Sequence, residues 1–125
     1  MTLTEITSLA NNFTDESATT TVAMAYANSA LSSINVALKS TLPPITVAAT
    51  EYVALHTDWM QLVVVPYVCW AIKMNDGSLN EAREYLYMFE SGLKKLKTNK
   101  RTAIDTVYQG TGFASKYAIT GYSNM

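Results

Sequence analysis

The side chains that most often carry catalysis are scarce in this chain of 125 residues, which has one histidine and one cysteine. A nucleophilic site needs a thiol or hydroxyl beside a base, so His56 and Cys69 are the one thiol–imidazole pair to consider. They lie too far apart along one predicted helix to meet, because helical neighbours are three or four residues apart. We interpret His56 as a polar residue at a helix start and Cys69 as a reduced core thiol, and we predict no enzymatic activity.

Metal and phosphate sites also lack their usual residues. One histidine and one cysteine are too few for a zinc site, and Asn75-Asp76-Gly77 is not followed by the later ligands of a calcium loop. The glycines near the C-terminus do not precede a helix start with a suitably placed lysine, as a phosphate-binding loop requires. The sequence therefore predicts no metal and no cofactor.

Charge is sparse, with 15% Asp, Glu, Lys and Arg and a net charge of -1, so no bulk attraction to nucleic acid or anionic lipid is expected. A surface poor in charge and rich in Ala, Ser and Thr is easier to explain if much of it meets other protein subunits.

One basic cluster is present. We interpret it as a solvated helix end that complements the helix dipole, with contact to DNA phosphates or an acidic neighbouring subunit as the alternative. The cluster comprises Lys94, Lys95, Lys97, Lys100 and Arg101.

The stretch from Thr57 to Lys97 organises the chain, because it combines a very apolar segment, a short turn and an amphipathic segment. The apolar segment predicts a helix ending near Met74, kinked at Pro66, whose ring removes a backbone donor. Ser78 and Glu81 have the spacing of a capping box that opens the next helix. Its predicted apolar stripe consists of Leu79, Ala82, Tyr85, Leu86, Phe89, Leu93 and Leu96. Two helices joined by so short a turn must be antiparallel, so we expect this hairpin at the centre of the core.

Two further helices are predicted upstream. Thr2 or Thr4 caps a short one that ends at Asn11-Asn12, and Thr14-Asp15-Glu16 opens a longer, alanine-rich one. The longer helix stops before Pro43-Pro44, after which residues 43–56 form an extended or irregular crossover. Its apolar face comprises Ala23, Ala27, Ala30, Leu31, Ile34, Ala37 and Leu38. Because this face is wide enough for both the core and a neighbour, we interpret Ala23, Ala27, Ala30 and Ile34 as a possible subunit interface.

Targeting and membrane signals are not expected. The N-terminal sequence has neither the basic start nor the long apolar stretch of a signal peptide. The longest uncharged apolar run, Trp59 to Ile72, is shorter than the about 20 residues that cross a bilayer. We therefore expect a soluble intracellular protein with no membrane partner.

The character of the sequence changes after Arg101. We predict a helical domain over residues 1–101 and an extended C-terminal arm over residues 102–125. The arm has no capping box or helical stripe but carries spaced apolar side chains of the kind that dock onto a partner. These are Tyr108, Phe113, Tyr117, Ile119 and Tyr122. The fold class is thus all-α, a small bundle of about four helices with an extended arm.

This arrangement resembles the small head-to-tail adaptor, or connector, proteins of tailed bacteriophages. The shared features are a short helix, a longer one, the aliphatic–aromatic segment QLVVVPYVCWAIKM, an NDG turn, the helix EAREYLYMFESGLKKLK and a C-terminal arm. They cover most of the chain and are densest from Tyr52 to Lys97. Pro66 and the low charge depart from the family's pattern.

The resemblance implies a structural role in the virion neck, between capsid and tail. Adaptors of this family form a homo-oligomeric ring, usually of twelve copies, under the portal protein, and they are assembled in the host cytoplasm. The arm would bind the portal, the ring would extend the channel through which genomic DNA passes, and its far side would meet the next neck or head-closure protein. The alternative function is a small helical nucleic-acid-binding module that uses the basic cluster of residues 94–101.

Overall fold

The computed structural model describes residues 1–109, and this part of the chain is an all-α bundle without β-strands. The predicted fold class is thereby confirmed. Four of the helices are long, and an irregular crossover connects the second of them to the hairpin. In chain order the elements are α1 (Leu3–Thr14), α2 (Thr20–Leu38), α3 (Thr57–Trp59), a π-helical turn (Met60–Val64), α4 (Val65–Asp76), α5 (Leu79–Thr98), α6 (Lys100–Ala103) and a 3₁₀ turn (Thr106–Tyr108).

Helix α1 begins with the cap that the sequence predicts. The Thr2 hydroxyl accepts from the Glu5 backbone N–H at 3.2 Å, and the Glu5 carboxylate accepts from the Thr2 N–H at 2.8 Å. This backbone hydrogen bond from Thr2 lowers the pKa of Glu5. Two orphan donors of the first turn are therefore satisfied reciprocally.

The predicted start of the second helix at Thr14-Asp15-Glu16 is wrong. Thr14 belongs to α1, and its buried hydroxyl donates back to the Ala10 carbonyl at 2.6 Å, so it cannot cap another helix. Asp15 takes a left-handed conformation with φ of 56° and ends α1. The α2 cap is Thr19, whose side chain accepts from the Val22 N–H at 3.2 Å.

Helix α5 begins at Leu79 as predicted, but without the capping box. The Ser78 hydroxyl donates to the Asp76 carboxylate at 2.9 Å, and Ser78 makes no cap hydrogen bond. The Glu81 carboxylate lies 3.6 Å from the Lys73 ammonium instead. The Ser78 hydroxyl thus bonds to Asp76, and the Glu81 carboxylate lies near Lys73. These contacts replace the two reciprocal hydrogen bonds of a capping box.

The apolar segment of the hairpin is helical, as predicted, through α3, the π-helical turn and α4. The backbone keeps right-handed helical angles at the junctions, and the Val65 N–H donates to the Met60 carbonyl, five residues back. The disturbance expected at Pro66 is thus a π-helical turn just before it. This shift places Pro66 in the first turn of α4, where a missing backbone donor is tolerated.

The core surrounds α4, which packs against α1, α2 and α5. Its largest fully buried side chains are Leu3, Ile6, Leu31, Ile34, Leu55, Met60, Val63, Val64, Val65, Val68, Leu96 and Ile104. Ala82, Phe89 and Leu96 of the predicted α5 stripe are buried, whereas Leu79 is 56% exposed because it lies at the first turn, beyond the packed part of the hairpin.

Asparagine side chains hold the loops against the helices. Each of three asparagines uses its amide oxygen to accept from a distant backbone N–H, and its amide nitrogen to donate to the carbonyl of the same residue. Asn11 binds Ala18, Asn28 binds Ile45 and Asn35 binds Leu42, at distances from 2.7 to 3.0 Å. The crossover of residues 43–56 is irregular, as predicted. The Asn28 and Asn35 pairs supply backbone partners to this crossover and to Leu42 just before it, in place of those that a sheet would give.

The chain after α5 returns to its own bundle. Ala103 and Ile104 lie in the core with exposures of 0% and 1%. Ile104 forms an isolated antiparallel bridge with Leu55, and Gln109 forms one with Ser40. The domain boundary predicted after residue 101 is therefore too early, because the packed domain includes residues 102–109.

Lys73 joins three parts of the bundle. Its side chain is buried, and its ammonium lies 3.2 Å from the Glu16 carboxylate, in the α1–α2 loop, and 3.6 Å from Glu81 of α5. Burial opposes the charged form, but the hydrogen bond with Glu16 and the two carboxylates outweigh it, so the pKa of Lys73 is raised.

The substitution Lys73→Met should lower the free energy of unfolding of the protein by an amount that depends on pH. Because the folded-state pKa is raised above the ordinary value of 10.5, the stabilisation is complete below pH 10.5 and is lost as the pH rises through the folded value. Urea unfolding of wild type and variant between pH 7 and pH 11 measures this difference. The control is Lys95→Met, which changes an exposed lysine. Its free energy of unfolding should differ less from that of the wild type. If the difference in free energy of unfolding between wild type and Lys73→Met stays constant up to the highest pH, the ion-pair explanation is contradicted.

Candidate functional site

The described residues form no cluster of metal-binding side chains. Within residues 1–109, no group of three or more His, Cys, Asp and Glu side chains is placed to hold a metal ion. His56 is exposed and makes no cap hydrogen bond at the start of α3. Cys69 is buried, and that burial raises its thiol pKa to about 12, so the sulfur stays protonated at neutral pH.

No helix in the described range is long and apolar enough to cross a membrane.

The alanine-rich face of α2 is core. Ala23, Ala27, Ala30 and Ile34 are each 0% exposed within the single chain. The prediction that these four side chains form a subunit interface is wrong for this fold, because α1 and α4 already cover them. The small side chains instead allow α2 to approach the central helix closely.

The basic cluster is divided by the fold. Lys94, Lys95 and Lys97 are exposed near the end of α5. Lys100 is 8% exposed, and its ammonium donates to the carbonyl of Leu38, the last residue of α2, at 2.6 Å. Burial, followed by the charge of Lys39, lowers the Lys100 pKa. The suggested contact of Lys100 with DNA or an acidic partner is therefore wrong. Its role is to neutralise the negative end of α2.

Arg101, the remaining residue of the cluster, is exposed on α6. It has interactions within the folded chain as well, so it is not simply an extra charge on the α5 surface.

The predicted arm is only partly within the described residues. Tyr108 packs against the core cluster, and its carbonyl accepts from the Thr41 N–H at 2.7 Å, so its assignment to a portal-binding arm is wrong for the free chain. The other predicted contacts of the arm, Phe113, Tyr117, Ile119 and Tyr122, lie outside the described residues.

The most distinctive concave surface is an apolar groove of about 310 Å³ between α1, the π-helical turn, α4 and α5. We call it the apolar groove. Three of its side chains are strongly exposed: Phe13 by 59%, Leu62 by 50% and Met88 by 53%. Its lining consists of Leu9, Phe13, Gln61, Leu62, Val65, Pro66, Cys69, Tyr85 and Met88. This lining has no charged group, which suits an apolar side chain of another protein better than a polar substrate.

Local backbone geometry shapes the apolar groove. The Leu62 carbonyl has no α-helical donor, because the residue four positions on is Pro66. Gly92 of α5 approaches this carbonyl so closely that an added Cβ would lie 2.6 Å from the Leu62 oxygen and 3.1 Å from the Val63 side chain. At one end of the groove the Tyr85 hydroxyl donates to the Phe13 carbonyl at 2.9 Å and links α5 to α1.

Sequence reasoning missed the groove because it expected Tyr85 in a continuous core stripe. The usable signal was the pairing of Pro66 with Gly92. One residue removes a backbone donor, and the other permits close approach to the carbonyl that the proline leaves behind. Comparison of the chain with protein-family models, curated proteins and solved structures found no match.

Gly92→Ala should destabilise the protein by about 1–3 kcal/mol, because backbone atoms of the π-helical turn must move to admit the methyl group. Urea unfolding followed by circular dichroism measures this loss. Ser91→Ala, at the exposed neighbouring position, is the matched control and should change stability by less than about 0.5 kcal/mol. Equal stability of Gly92→Ala and wild type would show that the two helices are not held in close contact here.

Proposed function

We propose that this chain is a structural head-to-tail adaptor of a tailed-phage neck, whose copies form a ring under the portal and extend the DNA channel toward the tail. The resemblance of residues 52–97 to that family supports the proposal, and its central feature, the antiparallel hairpin of α4 and α5, is present in the fold. By the same resemblance the ring has twelve copies and lies in the virion neck. Its neighbours are the portal and the next neck or head-closure protein.

The observation that carries the proposal is the exposure of large apolar side chains on a chain with few charges. Within residues 1–109, Phe13, Leu62 and Met88 stand at the apolar groove with half or more of their surface exposed. Only 15% of all residues are charged. Apolar patches of this kind usually mark contacts with other proteins, and the absence of charge from the groove lining fits a permanent assembly.

The portal contact is assigned to residues 110–125, with Phe113, Tyr117, Ile119 and Tyr122 as its apolar anchors. Tyr108 is excluded because it serves the chain's own core. Each anchor segment contributes little binding energy by itself. Copies joined in one ring bind the portal together, so dissociation of the ring requires release of many weak contacts.

Removal of residues 110–125 should leave a folded helical protein that no longer joins the portal. The cut follows the Gln109 bridge, so the contacts given above among residues 1–109 remain in this variant. Circular dichroism measures the fold, and electron microscopy or native mass measurement with a candidate portal measures the joint assembly. Assembly of the truncated protein on the portal would contradict the proposal that residues 110–125 anchor the ring.

Leu62→Glu should prevent ring closure without unfolding the chain. The substitution places a charge on a half-exposed groove residue, which costs little in the monomer but much in a desolvated contact. The matched control is Val36→Glu, an exposed valine of α2 with 83% exposure that lies outside the groove lining. Electron microscopy of both variants with the portal gives the result. Rings of Leu62→Glu equal to those of the control would exclude the groove from the subunit contact.

Nucleic-acid binding through Lys94, Lys95 and Lys97 is the alternative, favoured by their shared exposure on the last turns of α5. Because Lys100 is buried, the exposed basic surface has fewer charges than the five of the cluster in the sequence. Salt separates the two functions, because phosphate contacts weaken steeply with ionic strength and apolar assembly does not.

A further inference from the structure

Helix α5 carries a straight line of exposed residues on the side opposite the core. Successive members are separated alternately by four and three positions, the spacing that lets one helix run along another. We call this line the outer stripe. It consists of Asn80, Glu84, Tyr87, Ser91, Lys94 and Thr98, and every member is exposed. Tyr87 is the large apolar group at its centre, with 63% exposure.

The charges of the outer stripe have a definite order. Glu84 lies in the first half of α5 and Lys94 in the second, with Tyr87 and Ser91 between them. Within residues 1–109, neither Glu84 nor Lys94 forms an ion pair. Both charges therefore remain available to another molecule.

This order is complementary to itself only when two helices run in opposite directions. In an antiparallel pair centred between Tyr87 and Ser91, Glu84 faces Lys94 of the second copy, and Tyr87 faces the small Ser91 of the second copy. The polar ends, Asn80 and Thr98, also face each other. A parallel pair instead places Glu84 against Glu84 and Lys94 against Lys94, which is repulsive.

We propose that two copies of this chain pair through their outer stripes, antiparallel about a two-fold axis between Tyr87 and Ser91. The contact is isologous, since each copy uses the same surface. It differs from the head-to-tail contacts of a ring, so it stands or falls independently of the proposed function. The flanking residues give one favourable pair, Glu81 with Lys95 of the second copy. They also give two unfavourable approaches, Arg83 to Lys97 of the second copy and Glu90 to its own counterpart.

The pairing is weak and depends on concentration. From Asn80 to Thr98 the stripe is about 27 Å long at 1.5 Å per residue. A single helix face of that length buries less than the about 800 Å² per partner that is typical of stable complexes. The dimer is therefore a form of the free subunit at high concentration, and assembly into a larger structure can dissociate it.

Charge exchange on the outer stripe tests the proposal. Sedimentation equilibrium over a wide protein concentration range should show reversible dimerisation of the wild type. Glu84→Lys or Lys94→Glu should each raise the dimer Kd by about tenfold, because like charges then face each other. An equimolar mixture of these two variants should form heterodimers as tightly as wild type, since each lysine again faces a glutamate. The double variant Glu84→Lys with Lys94→Glu should also recover wild-type dimerisation.

The control is Lys97→Glu, an exposed lysine on the same helix that lies off the stripe beside Ala37. It makes the same charge change as Lys94→Glu and should not weaken dimerisation. All of these positions are exposed, so the variants should keep the wild-type fold by circular dichroism. A wild type that stays monomeric, a mixture that associates no better than either variant alone, or loss of the dimer in Lys97→Glu would each overturn the proposal.

Discussion

Burial of the segment from Met60 to Ile72 is the constraint on which the rest of the bundle depends. Its valines follow one another without helical periodicity, because α1, α2 and α5 cover different sides of it. A helix that is apolar on nearly every side has to be surrounded. The other long helices can therefore be understood as its cover, and their amphipathic stripes identify the sides that face it.

The position of Pro66 in this buried helix imposes a second constraint. The proline removes a backbone donor, and the preceding turn widens to a π-helix so that the proline falls in a first turn. The Leu62 carbonyl is then turned toward α5, where only a residue without a side chain fits. Gly92 meets that requirement, so a local feature of one helix determines a residue of another.

The sequence was a good guide to the helices and a poorer guide to their polar ends. Apolar spacing located the hairpin, and the cap predicted at Thr2 or Thr4 formed at Thr2. The capping box predicted at Ser78 did not form, because the Ser78 hydroxyl bonds to Asp76 and the Glu81 carboxylate lies near Lys73. The partners of Asn28 and Asn35 depend on where the crossover passes, which no local pattern records.

Surface function was harder to predict, because an apolar stripe looks the same whether it meets the chain's own core or a second subunit. The apolar-face alanines of α2 lie in the core, because α2 covers one side of the central helix α4. The surfaces open to other molecules are those that this covering leaves exposed, and α5 has two of them. Tyr85 and Met88 face the apolar groove, while Glu84 and Lys94 stand on the outer stripe. One amphipathic helix thus exposes an apolar surface and a charged one on different sides, so the two proposed contacts do not compete for the same side chains or require a rearranged core.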